Sequence, residues 1–266
     1  MGSAAETYAD NMYGKFRRHV AWPPNRVIKL GDIGVMDGAI FERRQSLRDD
    51  LGFKFKVRAA GQPVDLSYKS GRTASVSIKA AGKSLPNSAI PVSEAGARIS
   101  FSSAGAFVFQ ATGCVEKEIE GIEALGKQIL KWMKSGDWKE EWVVVDSITT
   151  VDRAAILVSE SRKAELELST KAGLGAGGVS LANADVTLSI VNELGTITRV
   201  IGKKAGLTPL FAVSRIKFSI WNQITGGEAS IGRATRGSGE SQRGRSTTGS
   251  NLAEIDPSKV LERVKR

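Results

Sequence analysis

The stretch Arg153–Asn192 alternates apolar and polar residues with a period of two, and little else in the chain constrains the fold as strongly. From Ala154 to Ala172 the even positions carry Ala154, Ile156, Val158, Ala164, Leu166, Leu168 and Ala172. The odd positions carry Ser159, Ser161, Lys163, Glu165, Glu167, Ser169 and Lys171. After a glycine-rich run the pattern returns, with Ala182, Ala184, Val186, Leu188 and Ile190 set against Asn183, Asp185, Thr187 and Ser189. Successive side chains of a strand point to opposite faces, so the pattern predicts a long amphipathic hairpin. Any antiparallel sheet with one solvated face alternates in the same way. Periodicity alone therefore leaves two uses open: an ordinary half-buried sheet, or a hairpin that enters a membrane.

A second alternating set precedes it. Leu51, Phe53, Phe55, Val57 and Ala59 alternate with polar or basic residues; a turn is expected at Gly61-Gln62-Pro63, then Val64, Leu66 and Tyr68. Ser70-Gly71-Arg72 leads on to Ala74, Val76, Ile78 and Ala80. Residues 97–112 are apolar on both faces and read as a buried strand pair turning near Ala104-Gly105. Asp37-Gly38 marks a hairpin turn between two short strands. Residues 8–20 suggest a short helix or docked arm that ends before Trp22-Pro23-Pro24.

Residues 116–138 carry the helical signal. Ile119, Ile122, Leu125, Ile129, Trp132 and Met133 recur at spacings of three and four. The acids Glu116, Glu118, Glu120 and Glu123 come early and Lys127, Lys131 and Lys134 late, an order that suits a helix dipole. Strands are expected at Glu141–Ser147, Gly195–Ile201 and Leu210–Trp221. Residues 225–251 contain mostly Gly, Ser, Thr and Arg and read as a flexible linker. In residues 252–266 the apolar positions Leu252, Ile255, Val260, Leu261 and Val264 return, with Asp256 or Ser258 able to cap a short helix that has Pro257 in its first turn. The expectation is an α+β fold, mainly antiparallel sheet with long amphipathic hairpins, one central helix and a short C-terminal helix. It divides into a mainly-β domain at 1–224, a linker at 225–251 and a terminal segment at 252–266.

Enzymatic chemistry finds little support. His19 is the only histidine and sits in a basic segment, while general base catalysis needs an oriented base beside a nucleophile. Cys114, the only cysteine, ends an apolar strand and reads as a small buried hydrophobe. It also excludes an intrachain disulfide, which fits a reducing cytoplasm. Gly173–Gly178 fits G-x-G-x-x-G, but a strand rather than a helix follows, so the glycines read as a hairpin tip and not as a nucleotide cradle. Asp146, Asp152, Glu160 and Glu165 alternate along strands and read as solvated faces rather than a metal site. No cofactor and no metal is expected. No signal peptide is visible, and no run approaches the ~18 apolar residues of a spanning helix, so a soluble, cytoplasmic protein is expected.

Lys plus Arg exceed Asp plus Glu by 38 to 28, a net charge of +10 that favours anionic partners. Candidate contacts to anions or acidic lipid are Arg17, Arg18, Arg43 and Arg44; Arg233, Arg236, Arg243 and Arg245 add charge within the linker. Nucleic acid is a weaker alternative, because no zinc-finger, RNP or helix-turn-helix pattern accompanies the charge.

A transmembrane β-strand needs ~9–11 alternating residues. Leu51–Ala59, Arg72–Ala80, Ala164–Ala172 and Ala182–Ile190 each give a nine-residue window of this kind. The plan of two amphipathic sets, a helix between them, a polar linker and a short apolar tail resembles the bacterial gasdermins, defence proteins that form membrane pores. The resemblance spans residues 26–266 and rests on architecture rather than on a motif. It implies that the two sets refold into spanning hairpins and that many subunits close a barrel. It further implies that residues 252–266 restrain the protein until a protease cuts 225–251. Members tend to carry a lipid-modified cysteine near the N-terminus, whereas this chain has only Cys114. The expected function is thus a non-enzymatic, oligomerising pore former that moves from the cytoplasm to the inner membrane. The expected lipid-facing or assembly face comprises Leu51, Phe53, Phe55, Val57, Val76, Ile78, Ala164, Leu166, Leu168, Ala182, Ala184, Val186, Leu188 and Ile190. A self-assembling ring, tube or shell protein using the same strands between subunits is the alternative.

Overall fold

The alternating segments lie side by side in four antiparallel rows. The computed structural model describes residues 3–78, 97–169, 178–180, 187–202, 206–225 and 255–266. It opens with helix α1 (Ala4–Phe16), whose Ser3 and Glu6 form a reciprocal capping box. Strand β1 (His19–Val20) follows, then the hairpin β2 (Asp32–Asp37) and β3 (Ile40–Ser46), turning at Asp37-Gly38 as expected. The first row is β4 (Lys56–Lys69) continued by β5 (Ala74–Ile78). The second is β6 (Ala97–Phe101) continued by β7 (Phe107–Glu120). Helix α2 (Ile122–Ser135) carries the chain to the third row: β8 (Val143–Thr150), β9 (Arg153–Ser159) and β10 (Ala164–Ser169). The short β11 (Gly178–Ser180) comes before the fourth row: β12 (Thr187–Leu194), β13 (Ile197–Gly202) and β14 (Leu210–Ile216). Helix α3 (Phe218–Thr225) and strand β15 (Leu261–Arg263) complete the described elements. The fold is α+β and mainly antiparallel, with α2 as its central helix and α3 as a short C-terminal one.

Neighbouring rows pair along their lengths. The first two meet through β4–β7 and β5–β6, the middle two through β7–β8, β7–β9 and β6–β10. The last two meet through β8–β14, β9–β13 and β10–β12. Two long hairpins thus stand shoulder to shoulder. Each row also bends once, near residues 70–73, 102–106, 160–163 and 195–196, and passes from a ten-stranded sheet into a five-stranded one. Backbone hydrogen bonds cross the corners: Gly105 N–H to the Ser159 carbonyl (2.7 Å), Ser159 N–H to Ala106 (2.8 Å) and Glu160 N–H to Thr196 (2.9 Å). Gly195 turns its corner at φ +77°, 2.6 Å from where a Cβ would meet the Lys163 carbonyl, so only glycine fits there.

The corners fold the sheet back over itself. In the ten-stranded sheet, Phe107, Phe109, Ile156 and Val158 face Tyr8 and Met12 of α1. Val108, Ala155 and Leu157 point the other way and meet Ile99, Phe101, Leu166 and Leu168 of the five-stranded sheet. β9 is therefore buried on both faces, which explains why its even and odd positions alike are apolar. Ala164, Leu166 and Leu168 are fully buried. A third cluster packs α2 (Leu125, Ile129) against Ile33, Leu47 and Val144.

Several expectations are corrected. Leu51, Phe53 and Phe55 are not strand residues. They lie before β4 and pack into the α2 cluster, with Phe53 edge-on to Trp132 at 5.9 Å. Aromatic bulk suited to a helix groove outweighed period-two spacing there. Gly61-Gln62-Pro63 is no turn: β4 runs through it, and shifts in its register with β7 absorb the extra residues as bulges. β6 and β7 do not pair with each other, because the corner between them sends each to a different sheet. α2 starts at Ile122 rather than 116; Glu116, Glu118 and Glu120 belong to β7, where pairing with β4 and β8 overrides helical spacing. The strand expected to reach Trp221 ends at Ile216, and α3 follows. The tail forms a single 3-10 turn over Pro257–Lys259 under the Asp256 cap, not a longer helix, and then β15. Leu252, Ala182, Ala184, Val186 and the linker from 226 to 251 lie outside the described residues.

Replacing Leu166 with Ala should cost about 2–5 kcal/mol of unfolding free energy, since the side chain is fully buried between the sheets. Leu194, 59% exposed at the neighbouring corner, should tolerate Ala within about 0.5 kcal/mol. Urea denaturation of the two variants checks the contrast.

Candidate functional site

Two features set this molecule apart from an ordinary sandwich: the apolar seam between its sheets, and the docking of the C-terminal segment. The seam gathers part of the face expected from sequence. Ala164, Leu166 and Leu168 line it, and Val76 and Ile190 pack against its margin. Ile78 lies on β5 and Leu188 on β12. Val57 is 44% exposed on β4 and takes no part. The corner residues between the two halves of each row are polar or small: Ser70 and Arg72, Ser103 and Gly105, Glu160 and Arg162.

The tail docks where β14 has a free edge. That edge accepts β1 at Leu210 and Phe211 and β15 at Ser214–Ile216. Val264 N–H donates to the Val213 carbonyl and Lys217 N–H to the Val260 carbonyl, both at 2.9 Å. Val260 is fully buried beside Leu125 and Ile129, and Ile255 and Leu261 join the same cluster. Val264 faces the other side, against Ala21, Phe211 and Val213. Gly126 of α2 makes room for this: a Cβ there would overlap the Pro257 carbonyl. Ion pairs fasten the strand. The Arg263 guanidinium lies 2.9 Å from Asp146 Oδ1, while Asp146 Oδ2 accepts the Ser214 hydroxyl at 2.5 Å. Burial pushes the Asp146 carboxyl above its ordinary range, against the opposing pull of Arg263. Arg215 pairs with Glu262 at 2.9 Å, and Arg266 reaches Asp10 on α1.

His19 sits at the centre of this junction. Its ring stacks on Phe211 (5.6 Å between centroids) and lies 5.2 Å from Tyr13. Nε2 is 3.2 Å from the Val264 carbonyl, and Nδ1 is buried with no hydrogen-bond partner. Burial lowers its pKa below 6.5, the Val264 bond opposes that shift, and Arg266 and Arg263 add to it. A cavity of ≈ 480 Å³ opens beside the ring. Arg17 and Arg18 line it together with three basic residues of the tail, Arg263, Lys265 and Arg266. Arg43 and Arg44 are elsewhere and already paired, Arg43 with Asp32 (2.9 Å) and Arg44 with Glu42 (2.8 Å).

The groups with catalytic potential stay apart. Burial pushes the Cys114 thiol up to about 11, far from a thiolate at neutral pH. Burial acts to raise the Glu116 carboxyl, but hydrogen bonds from Ser147 and Arg18 win and hold it below its ordinary range. Glu160 bonds Thr198 and Glu165 lies 3.4 Å from Ser100. Among the described residues no three His, Cys, Asp or Glu side chains gather as a metal site, and no helix is long and apolar enough to cross a membrane.

Comparison with known protein families and with curated proteins finds no match for this chain.

Sequence reasoning missed Gly126 and the basic residues of the tail as a docking set, and it placed Asp146 on a solvated face, whereas pairing with Arg263 and Ser214 holds it buried. A glycine inside a helical pattern was the one available signal, since it costs about 1 kcal/mol relative to Ala unless packing needs it. Gly126→Leu should detach the tail while leaving the hairpins folded; faster amide exchange at Val264 and Lys217, with unchanged exchange at Leu157, checks it. The sign for His19 follows from its lowered folded pKa. The unfolded chain binds the extra proton between that value and 6.5, so the stability contribution is full above pH 6.5 and falls as pH drops through this window. His19→Phe should flatten that part of a stability-versus-pH curve measured by urea denaturation.

Proposed function

We propose that the protein is a non-enzymatic, oligomerising, membrane-active protein whose two hairpins swing out of the folded-back state and span a bilayer as β-strands. The observation that carries this reading is the folded-back pair of adjacent hairpins. The four rows are already antiparallel and paired with one another, with their apolar surfaces turned inward at a shared line of corners. Along the third row the even positions Ala154, Ile156 and Val158 face α1, and after the corner the even positions Ala164, Leu166 and Leu168 face the seam. Straightening the corner brings these into one apolar stripe per row. The polar corner residues then set the depth. A charge such as Glu160 or Arg162 costs about 2–4 kcal/mol at mid-bilayer and about 0–1 kcal/mol at the interface, so the halves beyond the corners would enter lipid and the corners would stay at the headgroups. Basic residues Arg72, Arg162 and Lys163 would there favour acidic lipid. Open strand edges are not tolerated in hydrocarbon, so subunits would have to pair edge to edge.

The docked tail is the restraint. β15 occupies the edge of β14, and Val260 and Ile255 close over α2. Cleavage between residues 226 and 254 by a protease would leave this segment held by docking alone. The target in this reading is an acidic bilayer such as the inner membrane, reached from the cytoplasm.

The test uses the full chain with a specific protease site placed between Gly226 and Glu254. After cutting, dye should leak from acidic liposomes, with little leakage from the uncut protein or from neutral liposomes. Absence of leakage after complete cutting and tail release overturns the membrane reading. Rings or tubes in lipid-free buffer, again without leakage, would replace it with a self-assembling scaffold.

A further inference from the structure

The cavity beside His19 is built by the two ends of the chain. From α1 and the turn after it come Arg17 and Arg18; from the tail come Arg263, Lys265 and Arg266. Among the described residues no Asp or Glu side chain lines it. Three of the five cations are neutralised from outside, Arg18 by Glu116, Arg263 by Asp146 and Arg266 by Asp10. Arg17 and Lys265 have no Asp or Glu partner among the described residues, which leaves two cationic side chains unpaired by any acidic side chain at one hollow. The C-terminal end of α1 points a weak negative dipole at this corner, a partial charge that does not cancel two full ones. The volume, ≈ 480 Å³, falls within the roughly 300–1,000 Å³ of small-molecule sites.

His19 supplies an independent observation. Its Nε2 meets the Val264 carbonyl, so in the neutral ring Nε2–H donates there and Nδ1 carries a lone pair. That Nδ1 is buried and without a donor, although the residue is only 4% exposed. A buried acceptor left without a donor is costly and calls for a partner. His19 lines the hollow, so an anion that also carries one acidic hydrogen can supply that donor once a small turn of the ring exposes Nδ1 to it. Hydrogen phosphate offers two negative charges and one P–OH; a singly protonated phosphate monoester offers the same P–OH with one charge fewer. Sulfate offers the charge without the hydrogen.

We infer that this cavity is a binding site for a protonated phosphate group, inorganic or as a monoester, and that its occupant bridges α1 and the C-terminal tail and holds the tail on the body. Arg17 and Lys265 receive the charge, one from each end of the chain, and His19 Nδ1 accepts the P–OH. Because the ligand spans the junction of α1 and the tail, it favours the docked state by mass action. The assignment rests on the tail contacts described above and is independent of the membrane reading.

The experiment is calorimetric titration of the full-length protein at pH 6.5 with inorganic phosphate, glycerol 3-phosphate and sulfate. Vesicles containing phosphatidic acid, with phosphatidylglycerol vesicles as the diester control, distinguish a lipid headgroup from a soluble phosphate. A single saturable phosphate site is expected, at least tenfold tighter than sulfate and weakened at least tenfold in Arg17→Gln/Lys265→Gln. Lys131→Gln/Lys134→Gln, on the far surface of α2, should bind as the parent does. Saturating phosphate should slow amide exchange at Val264 several-fold, and the Arg17→Gln/Lys265→Gln protein should lose that slowing. No saturable binding, equal affinity for sulfate, or equal weakening in both double variants would overturn the assignment. So would phosphate binding that leaves exchange at Val264 unchanged, because the bridge would then be absent.

Discussion

The structure depends on one arrangement: an amphipathic sheet that covers its own apolar surface by bending. Four adjacent rows carry apolar stripes too long for the helices available to shield. α1 covers one face of the ten-stranded sheet, and the other face is covered by the continuation of the same strands. Burial of Ile99, Leu157, Leu166 and Leu168 in that seam removes hydrocarbon from water at roughly 25 cal/mol per Å² and drives the bend. The polar, glycine-containing corners make the bend possible, because they have little to lose by leaving regular strand geometry. In the proposed function the bend opens and lipid takes over the covering of the stripes.

In that proposal the restraint lies at the edge of β14. An unpaired strand edge is a template for further pairing. Here it is filled at one end by β1 and at the other by β15, so the first and last described strands lie end to end on the same strand. The tail adds an apolar anchor at Val260 and three ion pairs, of which only Arg263–Asp146 has a well-buried partner. Surface ion pairs each contribute about 0–1 kcal/mol, so strand pairing and the Val260 contact hold most of the segment. In the proposed site, an anion at Arg17 and Lys265 adds one more link to that dock.

Misreadings of the sequence cluster where two periodicities compete. Leu51, Phe53 and Phe55 alternate like a strand, yet their neighbours are Trp132 and Leu47, and they fill a helix groove. Glu116–Glu120 fit a helix start, yet Arg58 on β4, Ser147 on β8 and Arg18 in the turn after α1 bond Glu116 and Glu118, and the segment stays in β7. In both cases the deciding partners are distant in sequence, and no local window contains them. The basic site was half legible for the same reason. Arg17-Arg18 stands out as a dipeptide, whereas Arg263, Lys265 and Arg266 look like an ordinary charged terminus until β15 places them beside His19.

What the sequence by itself determined is the strand character of the rows, the mainly antiparallel class, the position of the central helix to within a turn at its end, and the apolar positions of the tail. These follow from side-chain alternation, which is a local property of the backbone. The tertiary structure alone decided that the rows bend, that β9 is buried on both faces, that the tail is a strand and that both ends of the chain share a cavity. Those outcomes depend on which surfaces meet between segments distant in sequence, and period-two spacing carries no information about that choice.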